Sequence, residues 1–218
     1  MKLLQLNALG GEVARDLADS FNNLPETDHK DGKYRLRKYS VIEYNSQVAL
    51  FNCAASGTEI KQLPRRDFTQ SEKFNEHQGG VSRSFQEIER GVLSSLAMRE
   101  VCSVFHEANN LREVQEIEIH QIRVITQEDG NAEVAPEGVH QDGFDYIGMI
   151  GINRNNIEGG ALMVYEGKGS EPFATRELAD GEMIMLDDKK LWHNAKSISA
   201  IDKNEQGHGD WFVLCANI

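Results

Sequence analysis

The sequence predicts a mainly β protein with supporting helices, of the sandwich, jelly-roll or small-barrel class. After residue 112, short apolar runs are separated by turns rich in glycine and asparagine, which is typical of these architectures. Before that residue, helix and strand patterns are mixed, and the later half lacks the strand–helix alternation of a doubly wound sheet. We expect a single domain over 1–218, with a mixed α/β support region in 1–112 and a jelly-roll core in 113–218.

The support region carries both helix and strand patterns. Val13, Leu17 and Phe21 recur at four-residue intervals, which predicts a helix after a short N-terminal strand. Residues 33–45 alternate and are rich in β-branched and aromatic side chains, which predicts a strand. Residues 84–110 place apolar side chains near helical spacing. We therefore expect one long helix there, packed on a sheet.

The core region is a series of predicted strands between turns. The expected strands are 116–127, 143–153, 160–167, 171–178, 182–188, 191–199 and 210–218.

Composition excludes several classes of partner. The net charge of −12 disfavours nucleic acid and anionic membranes, and the apolar runs are too short to span a bilayer. The N-terminus lacks the sustained apolar run of a signal peptide. The cysteines are three, widely spaced, and without a CxxC pair, which fits a reducing cytoplasm better than a disulfide framework. Oligomeric state is left open.

A candidate metal site begins at His140 and Asp142. Residues two apart in a strand point to the same side, and His193 begins another predicted strand about fifty residues later. Two imidazoles and a carboxylate on one face of a metal form the facial triad of non-haem Fe(II) oxygenases. That chemistry needs the opposite face open for O₂ and a co-substrate. An isolated His-x-Asp pair is common, so two unrelated polar residues remain the alternative interpretation.

The candidate ligands and their flanking segments resemble the Fe(II)- and 2-oxoglutarate-dependent dioxygenases. The nearest branch is that of the small bacterial hydroxylases of free amino acids, typified by isoleucine 4-hydroxylase. The resemblance extends from about residue 33 to the C-terminus. The segments that carry it are YRLRKYS, GGVSRSF, IHQIR, GVHQDGFDYIGMIGINRNNIEGG, KLWHNA and GHGDWFVL.

The resemblance implies a double-stranded β-helix, the cupin-like jelly roll, with N-terminal helices packed on its major sheet. His140, Asp142 and His193 would bind Fe(II), and 2-oxoglutarate would chelate the iron through its keto acid end. With O₂, an unactivated C–H bond of a free amino acid or small derivative would be hydroxylated, giving succinate and CO₂.

Three arginines have counterparts near the substrate in that branch. Arg35, Arg37 and Arg83 would line the approach to the iron and hold the carboxylate of an amino acid. The alternative is that they are exposed strand charges.

The sequence departs from the family pattern at Gly209. An arginine near the start of the closing strand usually holds the far carboxylate of 2-oxoglutarate, and glycine offers no cation. Another cation could replace it, with Arg123 the best candidate, because Gln121 and Arg123 share a strand face with apolar neighbours. A structural carboxylate is the alternative partner for Arg123. Lys196 and His208 are weaker candidates for the missing cation.

Gly209 is also compatible with a change of co-substrate or a loss of turnover. The protein could use a different keto acid or none, or it could be a cupin-like protein that binds a metal and a small ligand without 2-oxoglutarate turnover. A metal-free interaction domain is a third possibility. We expect 187–190 to be a solvated turn, and Trp192 and Trp211 to serve packing.

Overall fold

The computed structural model describes residues 4–47, 60–75 and 77–218. The helices are α1 (Gly11–Ala18), α2 (Arg90–Leu93) and α3 (Leu96–Asn109), with a 3₁₀ turn at Asp19–Asn23. The strands of these residues are β1 (Leu4–Ala8), β2 (Arg35–Asn45), β3 (Ile60–Gln62), β4 (Val114–Ile125), β5 (Asn131–Ala132), β6 (Tyr146–Asn155), β7 (Ile157–Gly159), β8 (Leu162–Tyr165), β9 (Ala174–Arg176), β10 (Glu182–Asp187), β11 (Trp192–Ala195), β12 (Ile198–Ala200) and β13 (His208–Ala216).

The described residues form one large sheet and two small ones. The large sheet is antiparallel, with strand order β1-β10-β6-β13-β4-β2-β3. The small sheets, β11-β8-β9 and β5-β12-β7, lie against one face of it. This is the double-stranded β-helix, and the expected fold class is confirmed. The support region adds β1, β2 and β3 to the large sheet.

Helices cover the other face of the large sheet. Leu17 of α1 and Phe105 of α3 are fully buried against strand residues such as Ile119. The ring of Phe21 meets Phe212 edge to face, with centroids 5.0 Å apart. Each such side chain contributes about 1.5–3 kcal/mol by leaving water, so this apolar layer fixes the sheet on which the site is built.

The prediction of one long helix over 84–110 is wrong for its first part. Residues before Arg90 are extended: the Tyr39 N–H donates to the Gln86 carbonyl at 2.9 Å, and the Ile88 N–H donates to Ser40 Oγ at 2.9 Å. The helical segment is also interrupted between α2 and α3, where Ser95 Oγ accepts a hydrogen bond from the Met98 N–H at 3.1 Å. A serine N-cap begins a new helix, and the apolar spacing alone does not reveal that break.

The structure also bears on the cysteines and on the possibility of a membrane-spanning helix. Cys102 and Cys215 are buried, and Cys53 lies outside the described residues. Among the helices of the described ranges, none is long and apolar enough to cross a membrane.

Candidate active site

The structure brings His140, Asp142 and His193 together at one end of the space between the sheets. His140 Nε2 lies 3.6 Å from Asp142 Oδ1, and His193 Nε2 lies 3.6 Å from Asp142 Oδ2. The two rings have centroids 4.3 Å apart, and one potential ligand atom from each residue lies within 4.8 Å of the others. Both histidines are buried. The spacing suits a single metal ion held on one face.

The His-x-Asp pair is not held by a regular strand, contrary to our expectation. His140 forms an isolated antiparallel bridge with His193, in which each backbone N–H donates to the carbonyl of the other at 2.9 Å. His193 lies in β11, as predicted. Backbone pairing between the two segments thus fixes the positions of the candidate ligands His140 and His193.

Asp188 anchors the segment after His140. The backbone N–H groups of Asp142, Gly143 and Phe144 donate to its carboxylate at 3.2, 2.8 and 3.1 Å. Asp188 is 1% exposed, so the expected solvated turn at 187–190 is wrong at this position. Burial, and then the charge of Asp142, raise the pKa of Asp188 to about 7. The sequence gives no signal for this role, because an Asp-Asp-Lys-Lys run is usually exposed.

Further hydrogen bonds orient the ligand atoms. His140 Nδ1 lies 2.8 Å from the Gly138 carbonyl and donates to it, which leaves Nε2 free to bind a metal. Gln70 Nε2 donates to Asp142 Oδ1 at 2.9 Å. The same glutamine accepts from Arg83 Nη2 at 3.0 Å. A metal ligand and a cavity arginine are therefore connected through one amide.

The titration behaviour of the three residues fits a cation site. Burial disfavours charge on His140, but the hydrogen bond and charge of Asp142 outweigh it and raise the pKa of His140 to about 9. Burial and the nearby His140 lower the pKa of His193 to about 4. Against the effect of burial, the two imidazoles lower the pKa of Asp142. The surroundings of Asp142 therefore favour a positive charge beside it, and binding of a metal ion is linked to release of protons from its ligands.

A cavity opens beside the three residues. It lies between the large sheet and the small sheet of β11, β8 and β9, and its walls combine apolar and charged side chains. They include Arg35, Arg37, Phe68, Gln70, Arg83, His120, Ile122, Glu137, Phe144, Met149, Gly160, Leu162, Leu178, Asn194, Trp211 and Val213. All three arginines singled out in the sequence line it.

Arg37 and Arg83 both pack on an aromatic ring in the cavity. Among the described residues, no carboxylate oxygen lies within 4.0 Å of either guanidinium. Arg37 Nη2 instead lies 2.6 Å from His120 Nδ1, and both guanidinium groups stack over Phe68. Burial, then Arg83 and Arg35, lower the pKa of Arg37 to about 9. The pKa of Arg83 is lowered by burial and by Arg35. This part of the cavity attracts anions.

Glu137 is a cavity residue that sequence reasoning missed. Its Oε1 lies 3.6 Å from His140 Nε2 and its Oε2 lies 3.6 Å from Arg35 Nη1. Oε2 is buried without a hydrogen-bond partner. Burial opposes its charge, but Arg35 and His140 lower its pKa. No motif marks this glutamate, which is near the ligands only because of the loop that precedes His140.

Gln121 and Arg123 are on the opposite face of the large sheet from the cavity. They share a face with Ile117 and Ile119 as expected, but that face is the one covered by helices. Gln121 Nε2 donates to Ser20 Oγ at 2.7 Å. Arg123 makes a bidentate pair with the buried Asp210, at 2.7 and 2.8 Å. The structure thus separates both predicted co-substrate residues from the metal ligands and gives Arg123 a structural carboxylate.

Gly209 is glycine because Trp211 occupies the adjoining space. A Cβ at residue 209 would lie 2.1 Å from the indole ring of Trp211, and that ring lines the cavity. An arginine cannot be accommodated there unless the ring moves. His208 is directed away from the cavity, with its Nε2 3.8 Å from Asp210 Oδ2, and burial lowers its pKa.

Comparison with known families identifies the chain. The model of the 2OG-Fe dioxygenase family matches residues 18–215. The chain belongs to this family and is a non-haem iron, 2-oxoglutarate-dependent dioxygenase, whose cofactor and co-substrate are Fe(II) and 2-oxoglutarate. No sequence among curated proteins matches the chain.

Solved structures of low sequence identity share the fold. A bsmA homolog from Methylobium petroleophilum PM1 superposes with a TM-score of 0.76 at 22% identity, covering 99% of this chain and 88% of that one. IDO from Bacillus thuringiensis gives 0.72 at 14% identity, covering 98% and 89%. The Fe(II)/(alpha)ketoglutarate-dependent dioxygenase TqaL gives 0.63 at 13% identity, covering 94% and 74%.

Proposed function

We propose that this member of the 2OG-Fe dioxygenase family hydroxylates an unactivated C–H bond of a free amino acid or a close derivative. The observation that carries the proposal is the presence of two opposite charge-recognition groups in one cavity. Arg37 and Arg83 lack carboxylate partners among the described residues, and Glu137 has a buried oxygen without a hydrogen bond. A zwitterion presents the two complementary charges.

His140, Asp142 and His193 would hold the Fe(II). The donor set suits it, because the Nδ1 hydrogen bond of His140 directs Nε2 inward and Gln70 positions one oxygen of Asp142. Bound Fe(II) and 2-oxoglutarate supply the oxidising power, as O₂ is consumed and the keto acid is converted to succinate and CO₂.

The arginine pair would bind the substrate carboxylate. A buried cation without an anionic partner is costly, and aromatic rings compensate only in part for a missing carboxylate. Binding a carboxylate would also relieve the repulsion that Arg37 and Arg83 exert on each other. Arg35 would add to the same positive potential, although Glu137 balances part of its charge.

Glu137 would bind the substrate ammonium group. Once His140 Nε2 binds a metal, it no longer offers a proton to Glu137. Glu137 then keeps only Arg35, at 3.6 Å, among the charged groups of the described residues. An ammonium group placed there would satisfy the free oxygen and would lie close to the metal ligands.

The remaining walls would exclude water and fit an aliphatic side chain. Phe68, Leu162, Leu178 and Val213 line the cavity beside the charged groups. Such surfaces bind apolar groups and prevent side reactions of an oxidising centre. The chain length that fits best would decide which amino acid is used.

A substrate screen tests this proposal. Free amino acids would be incubated with the enzyme, Fe(II), 2-oxoglutarate and O₂, with mass spectrometry of the product and assay of succinate. We expect at least one aliphatic amino acid to gain an oxygen atom. Its N-acetyl and carboxamide derivatives should not react, because each removes one of the two charges. Hydroxylation of both capped derivatives as readily as the free form would contradict the proposal.

A cupin-like binding protein without turnover is the second candidate, and Gly209 favours it. It predicts thermal stabilisation by metal and a small ligand without O₂ consumption. Measuring O₂ uptake in the same screen separates the two candidates.

A further inference from the structure

We propose that Arg154, on β6, binds the far carboxylate of 2-oxoglutarate in place of the arginine that Gly209 replaces. This inference rests on the proposed function and names a residue of the same site. The cation would be moved to the neighbouring strand rather than lost.

The register of the large sheet places the two residues side by side. Gly209 of β13 is directly opposite Arg154 of β6, and opposite residues of paired strands project from the same face. For Gly209 that face is the cavity side, since Trp211 fills the space next to its Cα and also lines the cavity. Arg154 therefore projects from the same face of the sheet as residue 209, on the side of the Trp211 ring.

The guanidinium of Arg154 has an unused donor at that point. Nη1 is buried and has no hydrogen-bond partner among the residues that the structure describes. Nη2 donates to the Gly159 carbonyl at 2.8 Å and lies 3.5 Å from Glu177, whose side chain is 54% exposed. The Arg154 side chain is itself 18% exposed, and an ion pair with an exposed carboxylate at that distance is weak. Nη2 of the guanidinium is therefore held in place, whereas Nη1 remains available to a ligand.

Gly160 leaves Nη1 of Arg154 close to the cavity. A Cβ at Gly160 would lie 3.5 Å from Arg154 Nη1 and 3.7 Å from the Trp211 ring. Gly160 and Trp211 both line the cavity. The absence of a side chain at 160 thus keeps a path between the guanidinium and a ligand.

The ligand requires such a cation. 2-Oxoglutarate is a dianion whose keto acid end binds the metal, so its second carboxylate needs a separate partner. An arginine fork matches a carboxylate in geometry as well as charge. Arg123 cannot serve, because it faces the helices and is paired with Asp210.

Two keto acids of equal chain length test the assignment. Under anaerobic conditions, Fe(II)-loaded protein would be titrated with 2-oxoglutarate or with 2-oxopentanoate, which lacks the second carboxylate, while the visible charge-transfer band is recorded. Arg154→Met should weaken 2-oxoglutarate binding about 100-fold and change 2-oxopentanoate binding by less than about threefold. Arg154→Lys should recover part of the loss. Arg176→Met, an exposed arginine paired with Glu182, is the control and should bind both as the wild type does.

The outcomes separate the assignment from the proposed function. An equal loss of affinity for both keto acids in Arg154→Met would mean that Arg154 acts only on the fold. An unchanged affinity for 2-oxoglutarate would mean that another cation is used. Either result overturns the assignment. If Arg83→Met weakened the binding of 2-oxoglutarate but not of 2-oxopentanoate, and Arg154→Met did not, then Arg83 would be that cation. Absence of any band in the wild-type protein would contradict 2-oxoglutarate binding itself, and the assignment with it.

Discussion

Arg123, on one face of the large sheet, has a different kind of partner from Arg37 and Arg83, on the cavity side. On the helix-covered face, Arg123 meets the buried Asp210 in a bidentate pair. On the cavity face, Arg37 and Arg83 pack on Phe68 and have no carboxylate within ion-pair distance among the described residues. An arginine supplied with its own carboxylate serves the fold, whereas an arginine left without one is available to a ligand. The number of arginines near a site is therefore less informative than their partners.

Arg123→Met should have the largest effect on stability. It leaves the Asp210 carboxylate buried and unpaired, which costs about 3–5 kcal/mol. Chemical denaturation should show this loss, while Fe(II) affinity of the folded protein stays within about threefold. The double variant Arg123→Met/Asp210→Leu should recover much of the loss, because both charges are then absent. No recovery would mean that Arg123 acts through packing alone.

Asp188→Asn should have the next largest effect, on metal binding. The carboxylate accepts three backbone N–H groups of the segment that carries Asp142, and an amide nitrogen cannot replace one of its oxygens. Loss of an outer partner of metal ligands typically costs 10–100-fold in affinity, which a competition titration with a metal-binding dye would measure. Asp187→Asn is the matched control, because Asp187 pairs with exposed Lys190 instead. Similar losses in both variants would refute a specific role for Asp188.

Arg83→Met should have the smallest effect on stability. Removing a cation that has no carboxylate partner among the described residues leaves no unpaired anion, and Gln70 keeps its hydrogen bond from Asn75. The free energy of unfolding without ligands should change by less than about 1 kcal/mol, as measured by the same denaturation as for Arg123→Met. A loss equal to that of Arg123→Met would abolish the distinction between the two faces.

The fold and the grouping of the three candidate ligands could be predicted because their signals are local. Strand alternation and turn residues define the β core, and His140, Asp142 and His193 have a recognisable order and spacing. The environment of Asp188 and Glu137 depends on contacts between segments distant in sequence. Strand alternation predicts that Arg123 shares a face of the sheet with Ile119. It does not reveal which face of the sheet is covered by helices and which lines the cavity.

Gly209 illustrates the same limit. The family resemblance implies an arginine where this chain has Gly209, but the sequence gives no sign that Trp211 fills that space. It also gives no sign that Arg154 is opposite in the neighbouring strand, because register is set by the folded sheet.

Anaerobic titration of the wild-type protein and of Asp142→Ala with Fe(II) and 2-oxoglutarate tests the central claim most directly. We expect the wild type to develop a visible charge-transfer band that saturates at one equivalent of iron. Asp142→Ala should show no band under the same conditions, since it loses one of three ligands. A wild-type protein without a band, or an equal band in Asp142→Ala, would contradict the assignment of this cavity as the iron and 2-oxoglutarate site.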